Sequence, residues 1–343
     1  VDLTATALKI NNPVYGKLIG SGGAIPIVIS ESLTTKVRTN LAELSFVKIF
    51  DISYDGKYAL YSEAVGGGEL LKLCYMNAVG GLITINIESK STATFKTAKF
   101  VPGTYKVIYD ARGAPTDACL KSLVTTYDPV AGWSNNAPVI ILDASSYGVA
   151  VDIAFNAETS IAYVATNEAA GPIGQAGVYS INAATDTIIA LVLGSLGAAP
   201  VQLDTVLVSP GAVRLAVART TTTSTVGIYS TDAQGASISL SETVTLPQPV
   251  NAIAFRSAGG NTPILAVRHD VDVANNVSFW RVGSGMLTGT GDIASVGGTL
   301  GDKVMVFSSD GQYLAIADTG IFDMDDYSQV AGTLPFTSPV IWK

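Results

Sequence analysis

The chain has one histidine, His269, in Arg268-His269-Asp270. A serine–histidine–acid triad needs a histidine as its base, so only His269 can take that role. It closes an apolar run, and we read it as a partly buried or surface histidine; no catalytic residue is assigned. A single histidine excludes a two-histidine metal site. The two cysteines, Cys74 and Cys119, are no cluster for zinc. They stand about one repeat period apart and are expected as buried free thiols, small apolar residues in effect. Pairing between neighbouring repeats is the alternative.

Oxygen chemistry has more candidates. Asp323, Asp325 and Asp326 form the densest acidic cluster, within Ile321–Tyr327. Alternating loop acids can supply oxygens to calcium, which makes these three the metal candidates. Asp270, Asp272, Asn275 and Asn276 are a second set. Neither set completes an EF-hand loop: Asn275 stands where its turn glycine belongs and Arg281 where its last glutamate belongs. The competing expectation is that these acids cap exposed turns. No cofactor site is assigned, and calcium is the one ion for which the sequence offers ligands. The glycine patches Gly66-Gly67-Gly68, Gly80-Gly81, Gly259-Gly260 and Gly297-Gly298 lack the Lys-Ser/Thr of a phosphate loop and read as turns between strands. Thr220–Thr225 reads as a hairpin tip, and Asn276-Val277-Ser278 is a glycosylation match.

Composition narrows the partners. Charged residues are 14% of the 343, apolar residues 48%, and the net charge is −8. Ordinary soluble domains carry about 25% charge. Sparse charge with many small and β-branched residues points to an extracellular or virion protein. Its 20 Lys and Arg are scattered, and a duplex-binding face needs them clustered, so nucleic acid is not expected as a partner. No apolar run reaches the roughly 18 residues of a spanning helix, and membrane insertion is not expected. Val1-Asp2-Leu3-Thr4 shows no basic region ahead of an apolar core, so no signal peptide is expected there.

The elements that position these residues come from a repeat. Turns recur at Tyr54-Asp55-Gly56, Val101-Pro102-Gly103, Asn156-Ala157-Glu158, Ser209-Pro210-Gly211, Ser257–Gly260 and Ser309-Asp310-Gly311, each followed by an apolar run. A second marker keeps the same period: Tyr75, Tyr127, Tyr179, Tyr229, Trp280 and Phe322. The third unit divides into strands at Val149–Phe155, Ile161–Thr166, Gly177–Ile181 and Thr187–Leu193. Four antiparallel strands in about 50 residues is the pattern of a propeller blade. A lone sheet cannot cover both apolar faces, whereas stacking on neighbours can.

Residues 1–45 offer short strand candidates at Thr6–Ile10, Val14–Ile19, Ala24–Ile29 and Thr35–Thr39. They read as a divergent first blade or an N-terminal closing segment, with six regular blades over 46–343. Seven blades are favoured over six, in one domain spanning 1–343. Ser338–Trp342 is expected as an outer strand that closes the ring. Leu33–Phe46 is the best helix candidate.

Asn156–Ala190, with Ile161-Ala162-Tyr163-Val164-Ala165-Thr166-Asn167 and then Gly177-Val178-Tyr179-Ser180-Ile181, resembles a YVTN-type propeller repeat. The turn before each apolar strand is similar to WD40-like blades, although Trp280 is followed by Arg281 and the WD dipeptide is missing. The resemblance implies an all-β propeller and no particular family. In propeller glycosidases, carboxylates from separate blades meet at the channel mouth. Asp51, Asp152, Asp204 and Asp302 lie in or near first strands, at unequal distances from their turns, and read better as residues tying strands together. The function expected is non-enzymatic: a structural or recognition propeller, of virion (phage tail or spike) or surface-layer type. It would contact other proteins of an assembly, a surface receptor or a glycan. The alternative is a lactonase-like or glycan-cleaving propeller using channel-mouth carboxylates, with calcium as a possible ion.

Overall fold

The turn after Ser53 shows why this chain makes hairpins. Gly56 takes a left-handed φ of 71°, which costs a residue without Cβ nothing. Its N–H donates to the Ser53 carbonyl at 2.9 Å. The Ser53 hydroxyl donates to Asp55 Oδ1 at 2.8 Å and accepts from the Tyr58 N–H at 2.9 Å. Gly311, also at φ 71°, donates to the Ser308 carbonyl, and the Tyr313 N–H donates to the Ser308 hydroxyl at 2.9 Å. The Ser53, Gly56 and Tyr58 positions and the Ser308, Gly311 and Tyr313 positions therefore share the same local bonds.

The computed structural model describes residues 17–22, 27–32, 38–43, 48–76, 82–112, 119–143, 147–156, 158–166, 177–194, 200–209, 212–219, 225–245, 250, 252–256, 263–268, 277–283, 285–286, 305–308, 311–316, 320–331 and 336–342. Its strands begin with β1 (Lys17–Gly22), β2 (Ile27–Ser32) and β3 (Arg38–Glu43). Next come β4 (Lys48–Ile52), β5 (Tyr58–Val65), β6 (Gly68–Met76) and β7 (Leu82–Lys90). A third group is β8 (Ala98–Phe100), β9 (Lys106–Asp110), β10 (Leu120–Asp128), β11 (Gly132–Asn135) and β12 (Val139–Leu142). Then follow β13 (Ala150–Phe155), β14 (Ile161–Thr166), β15 (Gly177–Asn182) and β16 (Thr187–Leu193). The fifth group is β17 (Pro200–Ser209), β18 (Ala212–Arg219), β19 (Thr225–Thr231) and β20 (Ile238–Thr245). Next are β21 (Ala252–Arg256), β22 (Ile264–Arg268), β23 (Val277–Arg281) and β24 (Gly285–Met286). The last are β25 (Met305–Phe307), β26 (Tyr313–Ile316), β27 (Gly320–Asp323), β28 (Gln329–Ala331) and β29 (Phe336–Trp342).

Among the described residues these strands form seven sheets. Five sheets run in simple sequence order, as in β13-β14-β15-β16. In the third group the outer position is shared: β11 pairs with the second half of β10 and β12 with the first half. In the remaining sheet, β29 pairs antiparallel with β1 and gives the order β29-β1-β2-β3.

Second strands are the most buried. All six residues of β14 and all five of β22 are buried, as a strand covered on both faces requires. The β4–β7 sheet packs face to face with the third group, and the third group with the β13–β16 sheet. Leu60, Leu73 and Tyr109 share one core, and Val164, Ile108 and Leu120 share the next. Fully burying one such aliphatic side chain contributes about 1.5–3 kcal/mol, so the inter-sheet layers hold the fold together.

The structure forms two compact units. One comprises Val1–Ile49, Thr222–Thr225 and Glu242–Lys343, and the other Phe50–Thr221 and Val226–Ser241. The second holds the sheets from β4–β7 to β17–β20 apart from strand ends. The first holds β21–β28 and the β29-β1-β2-β3 sheet.

Two expectations need correction. Ser338–Trp342 is not in an outer strand: β29 takes the first position of its sheet, beside β25, the first strand of the preceding sheet. Leu33–Phe46 contains β3, and its remaining residues lie outside the described set. The strands at Val14–Ile19, Ala24–Ile29 and Thr35–Thr39 are observed about three residues later, as β1, β2 and β3; Thr6–Ile10 lies outside the described residues. The six repeated aromatics all fall on third strands: Tyr75 on β6, Tyr127 on β10, Tyr179 on β15, Tyr229 on β19, Trp280 on β23 and Phe322 on β27.

Candidate functional site

Two of the first-strand acids, Asp51 and Asp152, tie neighbouring sheets together. Asp51 Oδ1 accepts the Ile52 N–H at 2.8 Å, and Oδ2 accepts the Phe100 N–H of β8 at 2.9 Å. Asp152 does the same between β13 and β17: Oδ1 takes the Ile153 N–H at 2.8 Å and Oδ2 the Leu203 N–H at 2.9 Å. Asp204 Oδ1 accepts the Thr205 N–H at 2.9 Å. Between β8 and β13 the bridge is reversed in charge: the Lys99 ammonium donates to the Ile153 carbonyl and lies 3.6 Å from Asp152. Each carboxylate thus meets a backbone donor on its own or the next sheet. Asp302 lies outside the described residues.

Asp323, Asp325 and Asp326 sit at the β27–β28 hairpin. The buried Asp323 accepts the Asp325 N–H at 2.9 Å, and the exposed Asp326 accepts the Ser328 N–H at 2.9 Å. The Asp323 N–H donates to the Ser328 carbonyl, and Tyr327 turns the chain at φ 58°. Among the described residues no three His, Cys, Asp or Glu side chains come together around a metal position. His269, Asp270, Asp272, Asn275 and Asn276 lie outside the described residues, as do Gly80-Gly81, Gly259-Gly260 and Gly297-Gly298. Gly66 and Gly67 turn the β5–β6 hairpin at φ 55° and 95°. Cys74 and Cys119 are buried free thiols; burial pushes them up to about 11 and about 12, so they are poor nucleophiles at neutral pH.

A more open constellation lies at the hairpin end of the β4–β7 and β8–β12 sheets. Six aromatic rings make a connected set: Tyr54, Tyr58, Tyr75, Tyr105, Tyr127 and Trp133. Tyr58 is the hub, with ring centroids 5.0 Å from Tyr105, 5.4 Å from Tyr75 and 6.0 Å from Trp133. Tyr127 lies 4.9 Å from Tyr75 and 5.3 Å from Trp133. Tyr54 is the outermost, 53% exposed, with its ring 5.4 Å from Tyr105. Tyr58 is buried, and its hydroxyl accepts the Tyr127 N–H at 3.0 Å. Such offset and edge contacts add about 0.5–1.5 kcal/mol per pair beyond burial.

Asp55 gives this edge its charge. The Tyr105 hydroxyl donates to Asp55 Oδ2 at 2.6 Å, and the Lys57 ammonium lies 3.0 Å from the same oxygen. Partial burial works to raise the Asp55 carboxyl, but hydrogen bonds from Tyr105, Lys57 and Ser53 outweigh it and hold the group at about 2. The carboxylate in turn pushes the Tyr105 phenol up, out of reach of neutral pH. The edge can offer aromatic faces, one fixed anion and one exposed ammonium to a partner.

Sequence reasoning found Tyr75 and Tyr127 as repeat markers and Asp55 as a turn former, but not the group. The signal was there in Tyr54 and Tyr105, which fall beside the same turn of adjacent repeats. It missed entirely the buried pair Lys90–Asp110, at 2.6 Å with side chains 1% and 0% exposed. Asp110 also accepts the Lys96 and Arg112 N–H groups. Burial pulls the Lys90 ammonium down and pushes the Asp110 carboxyl up.

No protein family and no curated protein matches the sequence. Solved structures do match in fold. A candidate 6-phosphogluconolactonase from Bacteroides fragilis is 11% identical, with a TM-score of 0.61 over 97% of this chain and 99% of its own. A protein from Lactobacillus plantarum is 10% identical, with a TM-score of 0.57 over 96% and 99%. Sqt1 of Saccharomyces cerevisiae is 10% identical, with a TM-score of 0.53 over 92% and 85%. At these identities the likeness defines architecture: the chain is an all-β protein of the β-propeller class, built among the described residues from six four-stranded antiparallel sheets and one of five strands.

Proposed function

We propose that this chain is a non-enzymatic recognition propeller. It contacts a protein or glycan partner in an extracellular or virion assembly, and its blades number seven in one domain. The observation that carries this reading is the hairpin end of the β4–β7 and β8–β12 sheets. There an exposed Tyr54 and the Asp55–Lys57 pair are set on a packed base of aromatic rings. Rigid aromatic surfaces with a few fixed charges suit binding, because little side-chain freedom is lost on contact. The first-strand acids Asp51, Asp152 and Asp204 support it from the other side, since hydrogen bonds to backbone N–H groups already engage them.

The test is binding of the labelled full chain to a glycan array and to surface proteins of its source, with Tyr54→Ala beside the wild type. The expected result is a bound partner whose affinity falls at least about tenfold in the variant, the loss typical of an exposed aromatic contact. Equal binding by both proteins would remove this edge from the reading.

A second reading is a lactonase-like propeller, favoured by the fold likeness to the candidate 6-phosphogluconolactonases of Bacteroides fragilis and Bacteroides uniformis. Turnover of 6-phosphogluconolactone above the spontaneous rate, abolished by Asp51→Asn or Asp204→Asn in a variant that still folds, would establish it in place of the first.

A further inference from the structure

Lys90 and Asp110 meet in a place without water. Lys90 ends β7, and Glu69 of β6 stands directly opposite it. Asp110 ends β9 of the next sheet. The Lys90 ammonium lies 2.6 Å from Asp110 Oδ2, and among the described residues this is the one ion pair with both side chains shut off from solvent. The Phe95 ring covers the ammonium, with its centroid 4.3 Å away. Phe95 is itself buried, and Glu69 fixes its place by accepting the Phe95 N–H at 2.9 Å.

A buried pair of this kind is poised between two chemistries. As ions, both groups have given up hydration, for which their mutual attraction compensates only in part. As a neutral amine and a neutral carboxylic acid, they are a nucleophile and an electrophile held in contact. Burial favours that second state, because it pulls the Lys90 ammonium down and pushes the Asp110 carboxyl up. A desolvated lysine is an activated nucleophile. Fixed contact replaces the collision that a bimolecular condensation needs, with effective molarities of about 10⁵–10⁸ M for well-oriented groups. The acid is polarised too. The Lys96 N–H donates to Oδ2 and the Arg112 N–H to Oδ1, both at 3.1 Å. Backbone donors so placed stabilise negative charge that develops on a carboxyl oxygen during attack. The Thr94 carbonyl, 3.2 Å from Lys90 Nζ, can accept the N–H that remains afterwards.

We propose that Lys90 Nζ and Asp110 Cγ join in a self-formed amide, a covalent cross-link between the β4–β7 and β8–β12 sheets. The ammonium first passes one proton to Oδ2 across the 2.6 Å contact. The freed lone pair attacks Cγ, the C–N bond forms, and charge gathers on Oδ1 beside the Arg112 N–H. A second proton moves from nitrogen to Oδ2, the C–Oδ2 bond breaks, and one water leaves. Of the three ammonium protons, two depart in the water and one stays on the amide. No oxidant, metal or cofactor is consumed. The product is neutral and relieves the burial of two charges, whereas in water the hydration of the ions opposes the same condensation. Until the bond forms, the two groups remain the ion pair seen here. The cross-link stands apart from the recognition reading and does not depend on it.

The experiment is intact mass spectrometry of the full chain, folded at neutral pH and then denatured, followed by a tryptic map. The wild type should be lighter than its sequence by one water. Lys90 should resist cleavage, so residues 73–96 should appear joined to residues 107–112. Wild type held in urea throughout should keep its full mass, because only the fold makes the contact. Lys90→Arg keeps the positive charge but lacks the amine, and Asp110→Ala lacks the acid; both should keep full mass. If either variant loses its wild-type melting profile, the folded and urea arms of the wild type decide alone. Full mass in folded wild type after prolonged incubation overturns the proposal. So does a water loss that maps within a single peptide, as cyclisation at Asp55-Gly56 would give, or one that persists in Lys90→Arg.

Discussion

Asp55 shows what one carboxylate does in a repeat protein. Its folded pKa of about 2 lies below the ordinary value of 3.8. The stabilisation it gives is complete above the unfolded value and is lost as pH falls from about 4 towards 2. Its ion-pair partner Lys57 is 56% exposed, so solvent screening keeps the effect small, about 1 kcal/mol or less. Asp55→Asn should lower the urea midpoint slightly at pH 7 and leave it unchanged near pH 2; an equal deficit at both would show that charge is not the cause. For Asp323 and Asp325 we expect the wild-type melting midpoint to be the same in calcium and in chelator, because Asp323 and Asp326 already accept N–H bonds. A rise in calcium, lost in Asp323→Ala with Asp325→Ala, would restore the metal site. The turn role of Asp55 is legible from Ser-Tyr-Asp-Gly alone, because its turn partners Ser53 and Lys57 lie two residues away; its bond from Tyr105 spans 50. The bridge from Asp51 to Phe100 spans 49 residues, and nothing local announces it.

Between elements, the most buried ion pair among the described residues is Lys90–Asp110, from the end of β7 to the end of β9. Removing one partner of a buried pair strands the other charge and costs about 3–5 kcal/mol. Lys90→Met should therefore lower unfolding free energy by that amount, and Lys90→Met with Asp110→Leu should recover a large part of it. A double variant no more stable than the single one would show that the bonds from Asp110 to the Lys96 and Arg112 N–H groups matter more than the pair. Element positions divide into legible and hidden for a physical reason. The β13–β16 strands stand almost where alternation and turn residues put them, and the aromatic markers all mark third strands. Local periodicity suffices there. The division of one outer strand into β11 and β12 is hidden, because both segments are short and β-prone and only pairing with β10 tells them apart. The aromatic edge is hidden for the same reason: it joins residues of two sheets.

For the whole molecule, the four-strand repeat is legible because it recurs, whereas closure is legible only in outline. The C-terminal strand closes a sheet, but in its first position rather than its outer one. Deleting residues 336–343 should leave β1 with a bare edge, lower the melting midpoint by more than 10 °C on the order of a lost core strand, and promote aggregation. A truncated chain that melts like the wild type would show that β29 is dispensable.

That pairing also sets a timetable. β1 leaves the ribosome roughly 300 residues before its partner β29 is made, about 15–60 s at ordinary translation speeds. Later sheets can complete themselves as they emerge, while the first three strands wait with an open edge. The chain's most exposed moment is thus during its own synthesis. A chaperone or a neighbouring nascent copy would find that edge before β29 does, and slowing translation just ahead of β29 would lower yield more than slowing it after β29.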